Sequence, residues 1–184
     1  MDKYYLDRKT TGLLLIDIQT KMVPAIYQHE TMIKPTNTLI TTAELFDLPI
    51  YVTEQYPKGL GPTIPEHKPD LEELKANFWE KTSFTACLPE LMEKIKADKI
   101  NSLIIAGVET HVCVFQTTRD LLRLDYNVHI AADAVGSRDP ENKKNALELM
   151  SGMGAVISNS ETIAFDLLKD AKASQFKAIS NAVK

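Results

Sequence analysis

The chain has 184 residues, of which 44% are hydrophobic and 25% charged, with 21 basic against 25 acidic side chains and a formal charge of −4. That length suits one domain with a full core, and the composition excludes a disordered chain. An acidic balance without a basic stripe argues against nucleic acid as a partner, and apolar runs of at most six residues are too short to span a membrane.

The first ten residues, MDKYYLDRKT, carry no apolar signal region, so a cytoplasmic location is expected, with a mitochondrial or other organellar one left open. Two cysteines, Cys87 and Cys113, form neither a CxxC pair nor a zinc-type spacing. In a reducing compartment both are expected as free thiols.

Thr11 to Asp17, TGLLLID, is a continuous apolar run ending in a carboxylate, the pattern of a strand covered on both faces. Thr31 to Phe46 reads as helix and Leu48 to Thr53 as a second strand rich in β-branched and aromatic residues. Glu54 to Pro69 holds four prolines and two glycines in 16 residues; it is expected to be a structured loop without helix. Leu71 to Leu74 reads as a helical turn. Asn77 to Glu80 reads as a short strand, with Lys81 just past it. Leu88 to Ala97 is a helix with Pro89 in its first turn.

Ser102 to Ala106 is the next strand, expected to stop at Gly107, and Val112 to Leu124 the helix that follows. Asn127 to Ala131 is a strand. Asp139 opens a helix running to about Met150, ended by Gly152 and Gly154. Ala155 to Ser158 is a last strand and Ser160 to Lys169 a helix. The tail, 170–184, is weakly helical and is assigned to an oligomer contact. His29, His67 and His129 read as surface or edge residues. No linker divides the chain, so residues 1–184 are read as one domain with a core over 11–169.

Strands alternate with helices six times. The alternation predicts an α/β fold with a parallel sheet, right-handed crossovers and helices on both faces. Ligands of such folds bind outside the carboxyl ends of the strands. Asp17, Lys81 and Cys113 each fall at or just past the end of a different strand. A thiol at a strand-to-helix turn meets outward-facing N–H groups and a favourable helix dipole, which predict a lowered pKa and a thiolate nucleophile. Asp17, with its pKa raised by burial, would take the thiol proton. Lys81 would supply positive charge, and the amides of Glu109 and Cys113 an oxyanion hole. His111 lies two residues before Cys113, and i,i+2 residues on a helix do not face each other, which disfavours a Cys–His dyad.

These residues resemble the isochorismatase-like cysteine hydrolases, a superfamily that includes nicotinamidases, N-carbamoylsarcosine amidohydrolases and isochorismatases. LLIDIQ is similar to the segment carrying the family's aspartate (Asp17), EKTSF to that carrying its lysine (Lys81), and AGVETHVCV to that carrying its nucleophile (Cys113). The resemblance implies a single Rossmann-like three-layer domain with a six-stranded parallel sheet in order 3-2-1-4-5-6. It also implies a non-proline cis peptide before the oxyanion turn, here between Val108 and Glu109.

IDIQTKMVPAI and VTEQYPKGLGPTIPE are most similar to the "isochorismatase domain-containing" subgroup. Nicotinamidases hold a metal with an Asp-x-His pair and a further histidine near the second strand. Here that place reads Glu54-Gln55-Tyr56 with His67 nearby, so no metal and no cofactor are expected, and nicotinamide loses support as substrate. The isochorismatases lack the cysteine, and retaining Cys113 favours acyl chemistry over vinyl-ether hydrolysis.

The reading is therefore a hydrolase of a small amide or related acyl compound, working through a thioester on Cys113. Gln19, Tyr56 and Phe84 are assigned to the substrate pocket. A homo-oligomer with a small-molecule substrate is expected. The alternatives are a scaffold protein that keeps the fold without turnover, and a redox pair of Cys87 with Cys113.

Overall fold

The computed structural model describes residues 2–184. Six strands form one parallel sheet: β1 (Thr11–Ile16), β2 (Ile50–Gln55), β3 (Asn77–Lys81), β4 (Ser102–Val108), β5 (Asn127–Gly136) and β6 (Val156–Ser158). Their order is β3-β2-β1-β4-β5-β6, as the resemblance implies. Every residue of β1 and of β4 is buried, which is why these segments read as unbroken apolar runs rather than alternating ones.

Alternate side chains along the strands feed two cores. Leu13, Leu15, Val52 and Ile104 pack with residues of α1 (Glu30–Leu45), α7 (Ser160–Leu168) and α8 (Phe176–Val183). Leu14, Ile16, Tyr51 and Ile105 face the other way, onto α4 (Pro89–Ala97), α5 (Phe115–Arg123) and α6 (Pro140–Met153). Each such leucine or isoleucine, fully buried, contributes about 1.5–3 kcal/mol of hydrophobic stabilisation. Among the described residues no helix is long and apolar enough to cross a membrane.

Several expectations are corrected. Residues 54–69 contain helix: α2 (Pro57–Leu60) is a single turn, and α3 (Lys68–Glu73) begins inside the proline-rich stretch. Pro57 and Pro69 sit in the first turns of these helices, where a missing N–H costs nothing. Gly107 does not stop β4, which continues to Val108. Its φ is +134°, and a Cβ there would lie 2.1 Å from the Ile16 carbonyl oxygen. Glycine at this position lets β4 pass close to the end of β1.

Gly152 lies within α6 rather than at its end; Gly154, at φ +110°, caps the helix. The tail folds back onto its own chain. Ile179 is fully buried, Thr38 Oγ1 of α1 donates to the Ala182 carbonyl at 2.8 Å, and α8 packs on α1 and α7. His67 and His129 are buried, not peripheral. The His67 Nδ1 is paired with Asn37 Oδ1 at 2.7 Å, and His129 Nε2 with the Lys3 carbonyl at 2.8 Å.

Candidate active site

The strand order reverses between β1 and β4, so the carboxyl ends of these strands frame a crevice. Asp17 follows the last residue of β1 with φ +55°. Its N–H donates to the Thr53 carbonyl at 3.0 Å, and Thr53 Oγ1 donates to its Oδ1 at 2.8 Å. The backbone of β2 thus fixes where the carboxylate stands. Asp17 Oδ2 lies 2.6 Å from Lys81 Nζ, and both side chains are fully buried. That contact is short but poorly aligned, so Oδ2 accepts no well-directed hydrogen bond.

Lys81 is the last residue of β3. Besides Asp17, its ammonium meets Gln55 Oε1 at 2.6 Å and the carbonyls of Ser83 and Phe84 at 3.1 Å each. Four acceptors surround three N–H donors, which pins the ammonium in one place. Beyond β4 the chain makes a wide π-helical turn, Thr110–Val114, before α5 begins; such turns recur at functional sites. Cys113 stands in this turn, 3% exposed, and its carbonyl accepts from Thr117 Oγ1 at 2.7 Å. Its thiol neighbours Asp17 and Lys81, whose charges both act on it. The Val108–Glu109 peptide immediately before the turn is cis.

The electrostatics differ from the thiolate expectation. Burial, followed by the neighbouring Asp17 charge, pushes the Cys113 thiol up to about 12, against a smaller pull from Lys81. Burial also outweighs Lys81 and Thr53 at Asp17 and raises its carboxyl above the ordinary range. The resting centre therefore pairs a neutral thiol with a proton acceptor that binds its proton more tightly than a surface carboxylate. Cys87 is likewise raised, to about 11, chiefly by burial.

Of the pocket assignments, Gln19 turns inward. It is fully buried, its Nε2 donating to the carbonyls of Gln55 and Gly61 at 3.0 and 2.6 Å and its Oε1 accepting the Gln55 N–H at 2.7 Å. It latches β1 to β2 and to the proline-rich segment. Tyr56 is 56% exposed and borders a cleft of about 320 Å³ with Glu80, Lys81 and Thr82. Phe84 reaches the centre through its carbonyl, while its ring is exposed.

Two contacting residues escaped sequence reading. Thr53 and Gln55 lie at the end of β2, where inward-pointing polar residues closing an apolar strand were the available signal. Glu54 and Gln55, the place of the nicotinamidase metal ligands, serve other contacts here. Glu54 Oε1 accepts the N–H and hydroxyl of Thr63 at 2.7 and 2.8 Å. Among the described residues no three potential ligands are grouped to hold a metal ion, and the donor set does not fit one.

This fold is that of the isochorismatase-like hydrolases. The Isochorismatase domain family model matches residues 11–162, and the chain belongs to that family of hydrolases. It is 39% identical over 177 residues to isochorismatase family protein 1A of Dictyostelium discoideum, covering 95% of this chain and 86% of the relative. Isochorismatase domain-containing protein 2 of Xenopus laevis is 35% identical over 179 residues, covering 97% and 85%.

Among solved structures, MAR1 ribonuclease from Caenorhabditis elegans superimposes with a TM-score of 0.92 at 35% identity, covering 97% of this chain and 92% of that one. YcaC from Pseudomonas aeruginosa, described with hexane-2,5-diol and covalent acrylamide, gives 0.90 at 26% identity, covering 97% and 91%. The Escherichia coli YcaC product, described as an octameric hydrolase of unknown specificity, gives 0.85 at 26% identity, covering 91% and 84%.

Proposed function

We propose that this chain is a metal-independent cysteine hydrolase acting on a small amide or related acyl compound. The observation that carries the reading is the convergence of Asp17, Lys81 and Cys113, from the ends of three different strands, into one buried cluster. As Cys113 Sγ bonds to the acyl carbon, its proton passes to Asp17, whose Oδ2 lacks an aligned donor. The amides of Glu109 and Cys113 receive the oxyanion. Asp17 then protonates the leaving amine as the C–N bond breaks, giving a thioester. Water attacks the thioester, Asp17 takes its proton, and that proton returns to sulfur as the C–S bond breaks and the acid leaves. Lys81 Nζ, 2.6 Å from Asp17 Oδ2, balances the carboxylate.

Because burial holds the thiol neutral at rest, attack and proton transfer to Asp17 occur together and no free thiolate accumulates. The test is intact-protein mass spectrometry with activated esters and amides. An acyl adduct on Cys113, absent in Cys113→Ala and accompanied by hydrolysis, supports the mechanism; turnover unchanged in Cys113→Ala refutes it. Covalent acrylamide in the P. aeruginosa relative supports adding acrylamide to the panel of probes.

The name of the C. elegans relative raises a second reading, RNA cleavage. The net charge of −4 and the enclosed triad weigh against it, because RNA binding draws mainly on basic side chains. A labelled RNA oligonucleotide cut by the wild type and spared by Cys113→Ala would favour that reading. The octameric relative supports a homo-oligomer, which light scattering after gel filtration measures directly.

A further inference from the structure

Glu109 presents a difficulty for the proposed chemistry. Its backbone amide is offered to the oxyanion, yet its own side chain is a carboxylate, 11% exposed. An uncompensated anion there opposes the charge that develops on the substrate oxygen. Among the described residues its hydrogen-bond donors come from one neighbour. Arg138 N–H donates to Glu109 Oε2 at 3.0 Å, and Arg138 Nε to Oε1 and Oε2 at 3.1 Å each.

The placement follows from the sheet. Val108 is in register with Gly136, so the two residues after β5 lie beside the turn that carries Cys113. Ser137, the first of them, is fixed by the Tyr27 N–H on its carbonyl at 3.1 Å, and its Oγ is 3.0 Å from His111 Nδ1. Ser137 and Arg138 together clasp the turn at His111 and Glu109. Arg138 is itself 66% exposed. Among the described residues its side chain makes no hydrogen bond or ion pair other than those to Glu109. A surface arginine dedicated to one nearly buried carboxylate beside a nucleophile has little to contribute to the core.

We propose that Arg138 is a positioning residue for hydrolysis: it neutralises and anchors the Glu109 side chain so that the Glu109 amide meets the oxyanion without repulsion from its own carboxylate. The proposal rests on the cysteine-hydrolase reading above. It assigns the residues after β5 a part in the chemistry that the aspartate, lysine and cysteine motifs do not contain.

The probe is p-nitrophenyl acetate with the full chain, reading nitrophenolate release and the acyl adduct on Cys113. In this step the sulfur–carbon bond forms, the thiol proton moves to Asp17, and the ester C–O bond breaks to release nitrophenolate. Arg138→Ala is expected to slow acylation about ten- to hundredfold with KM changed less than about threefold. Arg138→Lys should fall between it and the wild type. Glu109→Gln placed in the Arg138→Ala background should recover most of the lost rate, because the amide still accepts the backbone N–H of residue 138 and carries no charge.

Acylation unchanged in Arg138→Ala overturns the proposal. So does a loss that Glu109→Gln fails to recover while the melting temperature falls in parallel, since that marks a structural clamp. A wild type without a Cys113 adduct, or a rate that survives Cys113→Ala, overturns instead the reading on which the proposal rests, and the proposal with it.

Discussion

Lys81→Met removes the ammonium while keeping a flexible apolar side chain in its place. The carboxylate of Asp17, 0% exposed, then loses its counter-ion at 2.6 Å and keeps Thr53 Oγ1 at 2.8 Å. Gln55 Oε1 and the Ser83 and Phe84 carbonyls lose their donor as well. Breaking a buried pair from one side costs about 3–5 kcal/mol. For a chain of 184 residues that corresponds to a fall of roughly 6–20 °C in melting temperature.

The pH dependence follows from Asp17. Lys81 is the largest of the influences holding its pKa down, so the substitution pushes an already raised value further up. Between the ordinary carboxylate value, about 4, and this raised one, the folded state binds a proton that the unfolded chain has released. Stability therefore increases as pH falls through that window, by up to about 1.4 kcal/mol per pH unit. Urea midpoints at pH 8, 6.5 and 5 should show the variant's deficit shrinking toward acid, and Asp17→Asn combined with Lys81→Met should be less damaged than Lys81→Met alone. A deficit under about 1 kcal/mol at pH 8, or an equal deficit at pH 5 and pH 8, would refute the reasoning.

With Cys113 raised to about 12 and Cys87 to about 11, iodoacetamide labelling of both thiols should keep rising above pH 9; a Cys113 plateau below pH 8 would instead mark the thiolate that a helix-terminal site alone suggests. His67 and His129 both have lowered pKa values, chiefly through burial. The unfolded chain then binds more protons below about pH 6.5, so stability should fall as pH drops through that value, by up to about 1.4 kcal/mol per unit for each histidine. His67→Gln and His129→Gln should each flatten the dependence of the urea midpoint on pH. Gly107→Ala should cost about 3 kcal/mol or more, because its Cβ would strike the Ile16 backbone at 2.1–2.8 Å; a melting temperature within about 2 °C of wild type would refute the close approach of β1 and β4.

The architecture was legible because both faces of the sheet are covered. Burial on two sides demands unbroken apolar runs such as LLLI and SLIIA, and the helices between them carry their own periodicity and caps. Asp139 and Asn159, for example, accept N–H groups of the first turns of α6 and α7. Asp17, Lys81 and Cys113 were legible for the same reason, since each is a polar residue at or near the point where an apolar run ends.

Local pattern misled where a residue's role depended on something distant in the chain. Gly107 looked like a terminator because sequence does not show the Ile16 backbone against it. The contacts of Gln19 were hidden because its partners, Gln55 and Gly61, lie 36 and 42 positions away. His67 lies in the proline-rich stretch without apolar periodicity, whereas His129 lies inside the apolar run NVHIA, whose burial it shares.

Sequence by itself determined the alternation of strands and helices, and hence the parallel sheet, together with the identities of the three groups at its carboxyl edge. Only the tertiary structure decided their protonation. Position at a helix start argues for a thiolate, but burial beside Asp17 reverses that sign, because solvation and the charges of neighbours are set by which strands lie side by side. It also decided that Thr53, Gln55 and Arg138 contact the site residues, since parallel register across β1, β2, β4 and β5 brings together residues that the chain keeps far apart.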